Sequence, residues 1–313
     1  MAYFRFEGQR LAFTEFGGGP AEAGGSGGRS GAARRTAAAK RPVILLHGLL
    51  LSQEMHRPLA EALAARGNHA ITLDLLGHGK SDRPRDMWRY SMGSYAREVI
   101  ALMDHLEIEQ AAVMGTSLGA NTALEVASLA PERLRGLVIE MPVLDNGLLG
   151  SALAFTPLMV ALTFGEPVMK LLARAARAVP RAVLPHAGNV MLDVVRQEPG
   201  PSSALMQGLF FGRVAPHRDE RRTFQTPVLI LGHHRDPVHP FSDAGALATE
   251  MPNARLVEAD SLIELRVRPQ RLTGEIASFL DEIWAKKPAR AASRSPRVGA
   301  KRSPRAPAKS RGS

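Results

Sequence analysis

Residues 113–119 read VMGTSLG and decide how the rest of the chain is interpreted. The apolar residues 111–114 predict a buried strand, and the residues from Leu118 onward predict a helix. Ser117 therefore stands at the apex of a sharp turn between a strand and a helix, in the pattern G-x-S-x-G. Gly115 and Gly119 lie where a side chain would clash in so tight a turn. The Leu118 amide, at the helix N-terminus, is expected to stabilise negative charge.

The composition excludes several classes of protein. The chain has 313 residues, 45% of them hydrophobic, and no cysteine, so disulfides, thiolate metal sites and cysteine nucleophiles are excluded. The N-terminal residues lack the basic and then apolar regions of a signal peptide. No segment approaches the roughly 20 apolar residues needed to span a bilayer. We therefore expect a cytoplasmic protein that uses no cofactor and no metal.

Basic charge is concentrated in two segments of low complexity. The net charge is +10, and residues 286–313 alone carry ten Lys and Arg and no acid. Residues 17–41 are rich in Gly, Ala, Ser and Arg, and they predict a flexible insertion because they cannot bury enough apolar surface to order. Residues 286–313 predict a disordered basic tail. This tail is either merely solvated or binds nucleic acid or another acidic surface weakly and without sequence specificity.

Strands and helices alternate along most of the remaining chain. Two short strands are predicted within residues 2–16. Further strands are predicted at 43–46, 70–73, 111–114, 137–141, 228–231 and 256–258, and helices at 54–65, 92–106, 118–129 and 270–285. Short apolar runs between helices are typical of parallel strands that are covered on both faces. The predicted fold class is therefore α/β, with an open, mostly parallel, doubly wound sheet.

Residues 147–222 interrupt this alternation, because they show helical apolar spacing and no convincing strand. Such a length is unusual for one crossover connection. It predicts a helical cap inserted into a core of residues 1–146 and 223–285, with ordinary crossover helices as the alternative. The cap composition favours an apolar pocket. Candidate lining residues are Met159, Met169, Met191, Met206, Phe210 and Phe211.

Further loops make the chain resemble the alpha/beta-hydrolase fold family, in its capped form with a serine nucleophile. His47 and the glycine after it follow the strand 43–46, as a His-Gly pair follows the third strand in that family. The resemblance implies that the backbone N–H groups of Leu49 and Leu118 form an oxyanion hole and that His47 is structural. Residues 74–82, DLLGHGKSD, are similar to a family loop that shapes the fold.

The acid of a catalytic triad is implied by residues 231–240, LGHHRDPVHP. They resemble the loop after the seventh strand, where the family carries this acid, and the resemblance assigns it to Asp236. Glu140 and Asp145, at the end of the sixth strand, are alternatives because some members of the fold place the acid there.

The histidine of the triad is missing from its expected place. The family order of nucleophile, acid and histidine requires a histidine after the eighth strand, and the chain has none after His239. The expected position holds Asp260, Ser261 or Leu262, depending on the alignment. None of these takes a proton from serine near pH 7 as an imidazole does.

Three interpretations of this absence stay open. His239, three residues after the predicted acid, serves as the base. Alternatively, another histidine reaches the serine, either from the cap (His186 or His217) or from the acid loop (His233 or His234). In the third interpretation no base exists, and the protein is a catalytically weak or inactive alpha/beta-hydrolase-like binding protein.

A serine at the turn also limits the class of reaction. Dehalogenases and epoxide hydrolases of this fold carry aspartate at that position, whereas serine favours acyl transfer. If a base is present, the sequence predicts a hydrolase that cleaves an ester-type bond of a small apolar acyl or alkyl substrate. The reaction would pass through an acyl-enzyme on Ser117.

Overall fold

The computed structural model of the chain describes residues 1–17 and 41–286. The predicted insertion and tail therefore lie outside the described residues, apart from Gly17, Arg41 and Lys286. The described residues fold around an eight-stranded sheet. Its strands are β1 (Ala2–Phe6), β2 (Gln9–Phe16), β3 (Arg41–Leu46), β4 (Asn68–Asp74), β5 (Ala111–Thr116), β6 (Leu134–Glu140), β7 (Val228–His233) and β8 (Ala254–Ala259).

The order of the strands brings three functional loops to one edge of the sheet. The order is β1-β2-β4-β3-β5-β6-β7-β8. β2 is antiparallel to β1 and β4, and the remaining neighbours are parallel. The carboxyl ends of the parallel strands therefore point the same way. The loops after β3, β5 and β7 leave the sheet at this common edge.

Helices cover both faces of the sheet, which confirms the predicted fold class. The helices of the described residues are α1 (Arg57–Ala64), α2 (Met92–His105), α3 (Leu118–Leu129), α4 (Leu148–Phe164), α5 (Glu166–Ala178), α6 (His186–Arg196), α7 (Pro199–Phe211), α8 (Arg218–Arg221), α9 (Phe241–Glu250), α10 (Glu264–Val267) and α11 (Gln270–Ala285). The helices α4 to α8 lie between β6 and β7, within the segment predicted as a cap.

The side chains of β3, β5 and β7 alternate between two hydrophobic cores. Val43 and Leu45 of β3 pack in a cluster with α1 and α11. Ile44 and Leu46 pack in the other cluster, with α2, α3 and α9. All four side chains are fully buried. This burial on both faces explains why the parallel strands appear in the sequence as continuous apolar runs.

Two helices were not predicted. α9 begins directly after Pro240, and it buries Ala244 and Leu247 against the sheet. α10 is a single turn with Glu264 and Leu265 buried. Both are short and lie close to loops, where apolar periodicity is a weak signal.

Within residues 1–17 and 41–286, no single helix is long and apolar enough to cross a membrane. Only when the consecutive helices α4 and α5 are taken together is a segment long and apolar enough. They are bent by 101° relative to each other.

The close approach of α3 to β3 gives a test of the packing. A Cβ atom added at Gly119 would lie 2.3 Å from the Leu46 carbonyl oxygen, whereas one added at Gly274 in α11 meets nothing within 4 Å. We expect Gly119→Ala to lower the free energy of unfolding by about 3 kcal/mol, because the backbone itself must move. The matched helical change Gly274→Ala should raise it by about 0.5–1 kcal/mol. Urea unfolding followed by circular dichroism measures both, and equal effects would contradict the packing described.

Candidate active site

Ser117 lies at a strained turn between β5 and α3. Its backbone has φ 54° and ψ −112°, a conformation that residues other than glycine rarely adopt. A Cβ atom at Gly115 would lie 2.0 Å from the backbone of Gly119, so a side chain at position 115 would clash. The turn presents the Ser117 side chain at the carboxyl edge of the sheet, as the G-x-S-x-G pattern predicts.

The loop after β3 lies beside this turn. A Cβ atom built on Gly48 would be 3.9 Å from Ser117 Cβ. The His47 ring is buried; its Nδ1–H donates to the Gly48 carbonyl at 2.8 Å, and its Nε2 accepts the Leu75 N–H at 3.2 Å. Burial also lowers the pKa of His47. A neutral His47 therefore holds the loop, in keeping with a structural role.

Leu49 and Leu118, whose backbone N–H groups are expected to form the oxyanion hole, lie close to Ser117. Neither donates a hydrogen bond to another residue of the described ranges. Both residues line the same cavity as Ser117. Two unpaired N–H groups beside a serine hydroxyl are the donors that an oxyanion hole requires.

His239 and Asp236 complete a chain of hydrogen bonds that starts at Ser117. Ser117 Oγ lies 2.8 Å from His239 Nε2, and His239 Nδ1 lies 2.8 Å from Asp236 Oδ2. With Nδ1–H donating to the carboxylate, Nε2 accepts the serine hydroxyl. The three residues predicted as catalytic therefore meet in the geometry of a nucleophile, a base and an orienting acid.

Asp236 is held as a carboxylate that serves two functions. Burial raises the pKa of this carboxyl, but the hydrogen bonds from the His239 ring and from the His239 and Val238 amides outweigh burial and lower the pKa. Asp236 Oδ1 accepts both amides, at 3.0 and 2.9 Å. The same side chain therefore fixes the turn of the loop and orients the imidazole.

The loop that carries Asp236 and His239 is braced by the first turn of α4. A Cβ atom at Gly150 would lie 2.1 Å from the Pro237 carbonyl oxygen. Ser151 Oγ donates to the Val238 carbonyl at 3.3 Å. These contacts hold the loop that carries the base against α4.

Neither alternative acid binds His239. Asp145 is exposed and pairs with Arg221 at 3.5 Å. Glu140 is buried, and its carboxylate accepts hydrogen bonds from Thr116 Oγ1 and from Arg266. The structure places Asp236 alone among the three in contact with the imidazole.

The other candidate histidines lie elsewhere. His186 and His217 are exposed, and no contact with Ser117 is present among the described residues. His233 is buried, and its Nδ1–H donates to the Ser261 carbonyl at 3.0 Å. His234 is stacked on Phe241, with ring centroids 4.1 Å apart.

The position of the missing family histidine is solvent-facing. Asp260 is exposed and pairs with Arg271 at 3.4 Å. Ser261 and Leu262 are also exposed. Since His239 already contacts the serine, the absence of a histidine here is no longer an argument for an inactive protein.

A buried ion pair that no local sequence pattern predicts lies beneath the turn. Arg266 Nη2 lies 2.7 Å from Glu140 Oε2 and 3.1 Å from Thr116 Oγ1. Burial raises the pKa of Glu140, but the Arg266 charge, the contact with His233 and the Thr116 hydrogen bond together outweigh burial, and the pKa is lowered. Burial lowers the pKa of nearby His56 to about 3, so this ring adds no positive charge. Arg266 is therefore the main cation that compensates Glu140, and His233, whose Nε2 lies 3.6 Å from Glu140 Oε1, faces the same carboxylate.

An apolar cavity opens in front of Ser117. It has a volume of about 300 Å³ and lies between the sheet edge and the helices α4 and α7. Of the predicted lining residues, Met159, Met206 and Phe210 line it. Met191 and Phe211 are instead exposed, and Met169 packs against the core. The cavity is of a size and polarity that suit a small apolar ligand.

Residues 1–17 and 41–286 contain no group of three His, Asp or Glu side chains that could hold a metal ion.

Comparisons with known proteins agree with this architecture. The sequence model of the alpha/beta hydrolase fold family matches residues 41–260. An uncharacterized protein of Mycobacterium tuberculosis is 26% identical over 311 residues, covering 92% of this chain and 83% of that protein. A haloalkane dehalogenase of Mycolicibacterium paratuberculosis is 29% identical over 204 residues, covering 64% of this chain and 60% of that protein.

A solved structure shares the fold over most of the chain. The enol-lactonase from Burkholderia xenovorans superposes with a TM-score of 0.69 at 21% identity. The match covers 90% of this chain and 100% of the lactonase. At this identity the likeness concerns the fold.

The ion pair beneath the turn has a testable dependence on pH. The lowered pKa of Glu140 means that the pair stabilises the fold above the ordinary pKa of 4.5, and that this contribution is lost only as the pH falls further. Arg266→Met removes the largest cause that lowers the pKa of Glu140, while the contacts with His233 and Thr116 stay, so this pKa should rise. We expect a loss of about 3–5 kcal/mol at neutral pH. The loss should shrink as the pH is lowered to about 5, where the carboxyl takes up a proton or faces a protonated His233.

Two controls accompany this measurement by urea unfolding. Arg255→Met removes an exposed cation that pairs with Glu282 at 3.3 Å, and it should cost less than about 1 kcal/mol at either pH. Adding Glu140→Gln to Arg266→Met should restore part of the stability. A loss in Arg266→Met that is the same at both pH values would contradict the role given to Arg266.

Proposed function

Because the chain belongs to the alpha/beta hydrolase fold family, we propose that it is a serine hydrolase. Its substrate is a small apolar acyl or alkyl compound with an ester-type bond. The proposal rests on the contact of 2.8 Å between Ser117 Oγ and His239 Nε2. The other ring nitrogen, His239 Nδ1, lies 2.8 Å from Asp236 Oδ2.

In the proposed reaction Ser117 Oγ attacks the carbonyl carbon of the ester and gives its proton to His239 Nε2. The negative charge that develops on the carbonyl oxygen is stabilised by the N–H groups of Leu49 and Leu118. Asp236 stabilises the imidazolium through the Nδ1–H hydrogen bond. His239 then protonates the leaving alcohol, an acyl-enzyme forms on Ser117, and water activated by His239 hydrolyses it.

The cavity supports the apolar side of the proposal. Its walls come mainly from Leu, Met, Phe and Val side chains, and Asn121 is its one amide. That amide is already engaged, since its nitrogen donates to the carbonyls of Val143 and Val214. The walls therefore offer an acyl or alkyl chain apolar contact and little polar recognition.

The identity of the base is tested with variants of the three residues. We expect Ser117→Ala and His239→Ala each to lower kcat/KM for a p-nitrophenyl ester about a thousandfold or more, because the nucleophile or its base is lost. Asp236→Asn should have a similarly large effect, because the imidazole is no longer oriented. A fluorophosphonate probe should label the wild type and should not label Ser117→Ala.

The matched control for His239 is His234→Ala, which removes an exposed imidazole from the same loop. Its activity and labelling should stay close to those of the wild type. If His239→Ala, with an unchanged circular dichroism spectrum, hydrolyses the ester as fast as the wild type, the assignment of the base is wrong.

The binding site for the acyl chain is tested by filling the cavity. Ala152 lines the cavity, whereas Ala154 on the same helix is exposed. We expect Ala152→Phe to lower kcat/KM for an octanoyl ester about tenfold relative to an acetyl ester, because the longer chain loses its space. Ala154→Phe should leave this ratio unchanged. The same ratio in both variants would place the acyl chain elsewhere.

A further inference from the structure

The outer surface of α4 and α5 is apolar and exposed. α4 has no charged side chain along its 17 residues. Its large exposed apolar side chains recur at helical spacing. Beyond the bend between the two helices, α5 carries further large exposed apolar side chains. We name as the cap face the residues Leu149, Leu153, Val160, Phe164, Val168, Leu171 and Leu172.

This exposure is unusual in extent. Phe164 is 83% exposed and Leu153 is 69% exposed. Single exposed apolar residues are normal on protein surfaces, but contiguous patches generally mark a surface that binds something. The opposite side of α4 is already used, because Phe155 and Met159 line the cavity in front of Ser117. One side of α4 is therefore apolar because it lines the cavity, and the other side is apolar although it is exposed.

Basic side chains lie directly beside the cap face. Lys170, Arg174 and Arg177 of α5 are exposed, and Arg181, which pairs with Asp193 at 2.7 Å, follows within one turn of the helix end. Glu166 pairs with Lys170 at 3.0 Å. No ion pair of Arg174 or Arg177 is present within the described residues.

The same basic side chains border a cavity. Arg85, Lys170, Arg174 and Arg177 line a space of about 220 Å³, and Glu198 is the acid that shares it. The border of the cap face therefore carries an excess of positive charge.

We propose that the cap face binds the surface of a membrane that contains anionic lipids. An exposed apolar face flanked by Lys and Arg is the pattern of helices that lie in the plane of a bilayer interface. The basic side chains supply attraction to the negatively charged head groups. The bend of 101° between α4 and α5 suits a pair of helices that lies on the bilayer rather than one that crosses it.

A membrane-bound cap would place the cavity next to a source of acyl chains. The inward side of α4 lines the cavity, and its outward side would contact the bilayer. Delivery of a lipid-derived ester to Ser117 is the use that we infer for this surface. That use depends on the proposed hydrolase function, whereas binding to the membrane does not.

The experiment compares full-length variants on lipid vesicles by co-sedimentation. One set of vesicles holds phosphatidylcholine and phosphatidylglycerol in equal parts, and the other holds phosphatidylcholine alone. We expect Leu153→Ser and Phe164→Ser each to weaken binding to the anionic vesicles roughly tenfold. Arg174→Gln should weaken it roughly fivefold and should have no effect on the neutral vesicles.

Leu129→Ser is the matched control, because Leu129 is 49% exposed at the far end of α3 from Ser117. It should bind like the wild type. The basic segment 286–313 is the same in every variant, so any attraction that it contributes cancels in the comparison. Hydrolysis of a water-soluble acetyl ester should be unchanged in all four variants, because none of these residues lines the cavity in front of Ser117.

Two results would overturn the membrane proposal. The first is binding of Leu153→Ser and Phe164→Ser to anionic vesicles as tightly as the wild type. The second is a dimer, seen by light scattering, that these substitutions convert to monomers, which would mean that a second copy covers the cap face. A wild type that binds vesicles through the cap face but cleaves no ester would refute the hydrolase function and leave the membrane proposal standing.

Discussion

The contact between Ser117 and His239 spans a strand of the sheet, and the arrangement of the site depends on it. The serine follows β5, the histidine follows β7, and β6 lies between them. Neighbouring strands are about 4.8 Å apart, so the loop after β7 has to cover nearly 10 Å to reach the serine. It does so with a turn that Asp236 fixes through two backbone amides. The strained backbone at Ser117 brings the hydroxyl toward this loop from the other side.

Placing the acid and the base on one loop changes what the loop after β8 has to do. That loop leaves the sheet three strands from β5, and here it supplies no imidazole. It supplies Arg266, whose guanidinium reaches Glu140 and Thr116 below the nucleophile. Ser117 N–H in turn donates to the Glu140 carbonyl oxygen at 2.9 Å. The ion pair therefore supports the end of β6, to which the turn at Ser117 is hydrogen-bonded.

Much of the fold follows from patterns that are local in the sequence. Buried parallel strands are visible as apolar runs, and the turn at Ser117 is visible because two glycines are needed for a close approach of backbones. α9 was missed because its ten residues give only a weak apolar periodicity, although Pro240 and the acid in its first turn are signals of a helix start. The predicted domain limits and the properties of the basic tail stay predictions.

The site was only partly predictable, for a physical reason. Whether His239 reaches Ser117 depends on the length of a loop, on its turn and on the strand order. A short sequence motif encodes none of these properties. Arg266 was missed for a similar reason, because its partner Glu140 is distant in the sequence and an isolated arginine near a helix start carries no local signal. That Glu140 needs a counter-ion becomes evident only when its burial is known. Long-range electrostatic pairing is thus the part that the sequence alone did not provide.

The base and the wall of the cavity are mechanically joined through α4. The first turn of this helix touches the loop of Asp236 and His239 at Gly150 and Ser151, and the next turns line the cavity. Asp243 of α9 holds the chain that leads into α4, since its carboxylate accepts the N–H groups of Leu144, Asn146 and Gly147. A displacement of α4 would therefore move the imidazole and the acyl cavity together. For this reason a membrane bound to the outer side of α4 would influence the position of the imidazole and of the acyl cavity at its inner side.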